Sequence, residues 1–144
     1  MSITTVVRLI DAPIGEVFHA VADFDNFSDA LPHIVRLEFL TAQKKGVGTR
    51  FRETRLHNGR EATTLIEVTE YIEAERVRLV TDQGGTVWDS VFDVREVGFQ
   101  TELTLTVEAT PYKLFAKLVT PFVRATVARA LESDLDEVKA YCER

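Results

Sequence analysis

From Ile34 to Thr110 apolar and polar residues alternate with a period of two, interrupted by turn residues, the signature of strands that bury one face. Ile3 to Ile10, rich in β-branched residues, predicts a strand before them. Between the two lie helical spacings. Asp11-Ala12-Pro13 opens a first helix, with Asp11 as candidate cap and Ile14, Val17, Phe18 and Val21 at i, i+3, i+4 and i+7. Asp23 to Leu31 predicts a second short helix, closed by Pro32. After Thr110 the period becomes helical again. Thr110-Pro111 and Thr120-Pro121 each place a hydroxyl at a plausible cap and a proline at a first helical position, which predicts a short helix, a break near Val119 and a long helix from Pro121. Val123, Val127, Leu131, Leu135, Val138 and Cys142 mark one face of that helix, roughly 35 Å long.

The turns predict registers. Asn58-Gly59 reads as a type I′ hairpin loop and pairs Phe51 with Ile66, Glu53 with Thr64 and Arg55 with Ala62. Gly84-Gly85 pairs Thr81 with Trp88, Leu79 with Ser90 and Val77 with Phe92. Gly98-Phe99 suits a type II′ turn and pairs Phe92 with Leu105 and Trp88 with Ala109; a softer turn at Ala74-Glu75 pairs Ile72 with Val77 and Val68 with Thr81. These registers agree on one inner face, while Arg50, Arg52, Glu67, Arg78, Asp89, Asp93 and Glu102 collect on the other. The expected fold is α+β, a single domain over 1–144: a curved antiparallel sheet of about seven strands wrapped around a long C-terminal helix, with two short helices after strand 1.

The inner face carries polar residues among its apolar ones. Glu53 and Arg55, two apart on one strand, accompany Thr64, Thr81 and Ser90. Such charges are costly in a dry core, so they mark either a ligand-filled space or an open, solvated end of the sheet. Glu70 falls on the same face unless a bulge turns it outward. The candidate lining of a cavity is Phe51, Glu53, Arg55, Thr64, Ile66, Leu79, Thr81, Trp88, Ser90 and Phe92 from the strands, with Phe115, Phe122 and Thr126 from the terminal helices.

Composition narrows the function. Hydrophobic residues make up 45% of the 144 positions and the formal net charge is −6, which suits a core-forming domain and disfavours nucleic acid or an anionic membrane surface as the main partner. No run resembles a secretory signal or a membrane span, so a cytoplasmic protein without integral membrane association is expected. The one cysteine, Cys142, reads as a packing residue. His19, His33 and His57 lack the spacing of metal ligands, and no nucleophile motif or phosphate-cradling glycine loop is present, so neither metal nor cofactor is expected.

The order of elements resembles the START-like helix-grip superfamily (SRPBCC), specifically its polyketide cyclase/dehydrase-like group. The likeness is carried by Asp11-Ala12-Pro13 with Val17-Phe18, Ala22-Asp23-Phe24 leading to Leu31-Pro32, Gly46-Val47-Gly48-Thr49-Arg50, Val68-Thr69-Glu70-Tyr71, Thr101-Glu102-Leu103-Thr104 and Asp134-Leu135. Phe27 stands where many relatives carry a tryptophan or tyrosine. The resemblance implies a cavity between sheet and terminal helix for a hydrophobic small molecule such as a lipid, sterol, polyketide or quinone-like compound. It implies no single activity, because the fold hosts carriers, cyclases and partner-binding proteins, and it assigns no catalytic residue. Three readings stay open: a binder or carrier of an apolar molecule, a cyclase/aromatase-type enzyme using Glu53 and Arg55, and a ribosome- or quinone-associated partner protein.

Overall fold

The computed structural model describes residues 2–144. Ser2–Ile10 forms β1, followed by helices α1 (Ile14–Ala22) and α2 (Phe24–Ala30). Strands β2 (Ile34–Phe39), β3 (Arg50–His57), β4 (Arg60–Ile72), β5 (Arg76–Gln83), β6 (Thr86–Val97) and β7 (Gln100–Pro111) come next, and α3 (Leu114–Cys142) closes the chain. All seven strands form one antiparallel sheet in the order β1-β7-β6-β5-β4-β3-β2. This is the α+β helix-grip architecture the sequence predicts.

The glycine turns set the registers as read from the sequence. Asn58 and Gly59 both have positive φ, as a type I′ loop requires, and β3–β4 pairs Phe51 with Ile66, Glu53 with Thr64 and Arg55 with Ala62. Across Gly84-Gly85, Leu79 pairs with Ser90 and Thr81 with Trp88; across Gly98-Phe99, Phe92 pairs with Leu105. The β4–β5 hairpin differs. Its turn centres on Glu73-Ala74, closed by the Glu75 N–H to the Ile72 carbonyl at 3.0 Å, and a bulge lies between Val68 and Glu70. Tyr71 therefore pairs with Val77, Val68 with Leu79, and Ile72 turns to solvent. Glu70 stands on the outer face, 3.7 Å from Arg76.

The helices correct two further expectations. Asp11 makes no side-chain cap; Pro13 occupies the cap of α1 and the Asp11 N–H instead donates to Glu143 at 2.8 Å. The chain after Thr110 contains one helix. Thr110-Pro111 ends β7, where Pro111 pairs with Thr86, and Tyr112 and Lys113 both donate their N–H to the Gly85 carbonyl. Lys113 then caps α3, which runs 29 residues through Pro121 without stopping. Thr120, just before that proline, donates its hydroxyl to the Ala116 carbonyl at 2.6 Å, a second bond in the turn where Pro121 has no N–H to give.

Only the second half of α3 belongs to the core. Leu135 and Val138 are fully buried beside Val17, Phe18 and Val21 of α1, Phe24 and Leu31, and the inward strand residues Phe51, Val68, Val77, Leu103 and Leu105. Three polar contacts fasten the same half to the β1 end: Arg8 to Asp136 at 2.6 Å, Lys139 Nζ to the Leu9 carbonyl at 2.7 Å, and Glu143 to Asp11. Between Leu114 and Ala130 only Ala116 is buried. The sheet thus grips one end of the helix.

Candidate functional site

Where α3 crosses the concave sheet at Leu131 and Asp134, a cavity of about 120 Å³ remains. Strands β3 to β7 supply most of its wall: Glu53, Arg55, Ile66, Leu79, Val80, Thr81, Trp88, Ser90, Phe92 and Leu105. Phe27 of α2 and Leu131 and Asp134 of α3 complete it. Period-two alternation explains why Leu79 and Thr81, or Trp88, Ser90 and Phe92, reach the same space. Phe27 stands edge-on to Phe92, with ring centroids 5.9 Å apart.

The polar end of the cavity is an ion cluster. Glu53 and Arg55 share the inner face of β3 and are hydrogen-bonded to each other. From the opposite side Asp134 accepts from Arg55 Nη1 at 3.0 and 3.2 Å. The same nitrogen lies 3.1 Å from His33 Nε2, and that Nε2 lies 3.4 Å from Asp134. Glu53 is 4% exposed and the Arg55 side chain 24%. Burial works against the guanidinium charge, but Glu53 and Asp134 outweigh it and hold the Arg55 pKa above its ordinary value. With one guanidinium between two carboxylates, the Glu53–Arg55–Asp134 trio carries a formal charge of −1.

Of the residues predicted to line the cavity, Glu53, Arg55, Ile66, Leu79, Thr81, Trp88, Ser90 and Phe92 do face it. Phe51 does not; it packs in the core against Phe24 at 4.4 Å and Phe39 at 5.9 Å between centroids. Thr64 donates its hydroxyl to Gln83 at 3.0 Å. Phe115, Phe122 and Thr126 are exposed on α3. The reason is helical phase: with no break at Pro121, the burial of Leu135 and Val138 fixes the whole helix, and Ala116, Val123 and Val127 turn inward in place of Phe115 and Phe122.

Sequence reasoning missed Asp134, His33, Phe27 and Leu105 as members of the site. Asp134 left a trace, an acid three residues after Leu131 and beside Leu135 on the apolar face of a helix. His33 left none, since its approach to Arg55 depends on how β2 joins β3. Among the described residues no group of three His, Cys, Asp or Glu side chains is placed to hold a metal ion. Cys142 packs against the core, and burial, with Glu16 and Glu143 nearby, pushes its thiol up to about 11.

Comparison with known proteins bears on the whole chain. A family model described as polyketide cyclase/dehydrase and lipid transport matches residues 1–143. Among solved structures, TTHA0849 from Thermus thermophilus superposes with a TM-score of 0.78 at 21% identity, covering 98% of this chain and 97% of that one. Ara h 8.0201 gives 0.76 at 16% identity over 98% of each chain. Protein CV1439 from Chromobacterium violaceum gives 0.75 at 16% identity, over 100% and 99% of the two chains. At these identities the structures share the fold. No curated protein sequence matches significantly.

Proposed function

The chain belongs to the polyketide cyclase/dehydrase and lipid transport family, and from that premise we propose that it binds an uncharged, largely apolar small molecule whose polar end donates a hydrogen bond to the Glu53–Arg55–Asp134 cluster. The observation that carries this reading is the mostly buried Glu53–Arg55–Asp134 cluster, formally −1, at one end of a cavity whose remaining wall is largely apolar apart from Thr81 and Ser90. Ile66, Leu79, Trp88, Phe92 and Leu131 supply contact area for a flat or branched hydrocarbon body. A hydroxyl or phenol completes the acceptor capacity of the carboxylates. A ligand carboxylate meets two like charges in a poorly solvated place and is rejected.

Size sharpens the proposal. A cavity of about 120 Å³ is on the scale of one aromatic ring, whereas sites for drug-sized ligands run about 300–1,000 Å³. Larger ligands enter by displacing the first half of α3. A narrow cleft beneath it, lined by Ser2 and Thr4 of β1, by Trp88, Val107 and Ala109, and by Thr120, Val123, Arg124 and Val127 of α3, adjoins the cavity at Trp88 and gives the direction of expansion.

Trp88 is the only tryptophan, so its fluorescence reports occupancy directly. Titration with 2-naphthol and 2-naphthoate, matched in body and differing in charge, is expected to show the phenol binding at least about tenfold more tightly, which is roughly 1.4 kcal/mol. Phe92→Ala is expected to weaken the phenol by a similar factor. Equal affinity for the two compounds, or no response from either, removes this reading.

One feature favours a second reading, proton-transfer chemistry of the cyclase or dehydratase kind: Glu53 and Asp134 both face the cavity with the Arg55 cation between them. Under it, Glu53→Gln retains ligand affinity and abolishes turnover of a polyketide substrate. Full turnover by that variant discards Glu53 as the base.

A further inference from the structure

The first half of α3 presents an apolar stripe to solvent. Leu114, Leu118, Pro121, Phe122 and Ala125 recur at i, i+4, i+7, i+8 and i+11, on the side turned away from the sheet, with Phe115 on the stripe's flank. Leu114 is 73% exposed, Phe115 74%, Leu118 63% and Phe122 84%. Four cations accompany them. Lys113, Lys117, Arg124 and Arg129 are all exposed, and no acidic residue occurs from Lys113 to Arg129 in a chain of net charge −6.

Charge pairing distinguishes this segment from the outer face of the sheet, although among the described residues Lys44, Lys45, Arg60 and Arg144 also make no salt bridge. On the outer face of the sheet, and at its β2 edge, each arginine finds a carboxylate: Arg36 with Glu61, Arg52 with Glu38, Arg76 with Asp93, Arg78 with Asp89 and Arg95 with Glu102. Arg50 lies 3.7 Å from Glu67. Among the described residues, none of the four cations of the α3 segment makes a salt bridge. The first acid beyond them, Glu132, appears where the helix begins to enter the core.

We propose that the first half of α3 docks on an anionic lipid bilayer, with Leu114, Leu118 and Phe122 inserted at the headgroup boundary and Lys113, Lys117, Arg124 and Arg129 held against acidic headgroups. Charge complementarity selects this occupant: exposed Leu and Phe with basic residues along the helix are the pattern of interfacial helices, and each Lys or Arg near an anionic surface adds to the attraction. A second copy is a poor occupant, because a two-fold contact through this stripe sets the same four cations against each other. The net charge of the whole chain conceals the surface, since the acids lie elsewhere.

The test is co-sedimentation of the full chain with two vesicle types, phosphatidylcholine alone and equal parts phosphatidylcholine and phosphatidylglycerol. The expected result is at least about tenfold greater partition onto the anionic vesicles, lost in high salt. Leu118→Ser with Phe122→Ser, and separately Lys117→Glu with Arg124→Glu, are each expected to abolish it. Because these side chains are exposed, the circular dichroism unfolding midpoint is expected to stay in place. The proposal is overturned if the anionic vesicles bring down no protein. It is equally overturned if both double variants sediment like the parent, or if ultracentrifugation shows a dimer that the serine variant dissociates. Since no ligand is added, failure here leaves the naphthol result unaffected.

Discussion

Arg55 is surrounded by groups that need it. Glu53 and Asp134 are both mostly withdrawn from water, and each relies on the guanidinium for neutralisation. Arg55→Ala is therefore expected to destabilise the fold by about 3–5 kcal/mol in urea unfolding, since it strands two carboxylates in an enclosed site. Adding Glu53→Gln and Asp134→Asn to that variant is expected to recover part of the loss, because the stranded charges are then gone. Cys142 offers a second measurement at this scale. Its thiol keeps its proton in the folded state up to about 11, while in the unfolded chain it ionises near 9. The thiol's contribution to stability is thus present below about pH 9 and is lost as the pH rises toward about 11. Alkylation of the native protein at pH 8 is expected to be slow and to speed up in denaturant. The residues that sequence pattern reached are those whose position follows from alternation along one strand, such as Glu53 with Arg55 or Trp88 with Ser90 and Phe92. Asp134 and His33 come from distant elements, and nothing local in the sequence ties them to Arg55.

At the scale of elements, turn chemistry decided what was legible. Asn58-Gly59, Gly84-Gly85 and Gly98 all adopt positive φ, which only a few residue types tolerate well, so their registers could be counted from the sequence. Ala74 takes φ 58 with a side chain that gives no such signal, and the β4–β5 register was displaced accordingly. Ala74→Gly is expected to raise the thermal midpoint, with a gain of up to about 1 kcal/mol, by relieving the left-handed backbone. Gly85 is the opposite case. A Cβ there would lie 2.7 Å from Lys113 Cβ at φ 82, on the residue whose carbonyl receives the N–H groups of Tyr112 and Lys113. Gly85→Ala is expected to cost about 1–3 kcal/mol, measured by the same melts, and to loosen the start of α3. Pro121 was misread because proline at a helix start and proline inside a helix look alike in sequence. Its exposure on a continuous helix makes Pro121→Ala an expected gain of about 1–3 kcal/mol.

Across the whole molecule the grip is uneven. The second half of α3 is clamped by Leu135 and Val138 in the core and by Arg8, Lys139 and Glu143 at its rim, whereas the first half rests on the sheet through Ala116, Val123 and Val127. Hydrogen exchange is expected to follow this division, with amides around Ala116 to Ala128 exchanging at least about tenfold faster than those around Leu131 to Cys142. The architecture as a whole was legible because an extended one-sided sheet and a one-sided helix have few ways to cover each other. How the helix is held was not, since that depends on tertiary phase.

The sheet order also sets a timetable. β2 to β7 are joined as successive neighbours and can zip hairpin by hairpin, but β1 pairs only with β7, Ser2 opposite Ala109 and Ile10 opposite Thr101. Of the seven strands, the one made first is the one whose partner is made last. Until β7 is made its Ile3, Val6, Val7 and Ile10 have no partner strand, so β1 waits as an unpaired, sticky segment while the five strands between are synthesised, and closure of that long loop paces the folding of the domain.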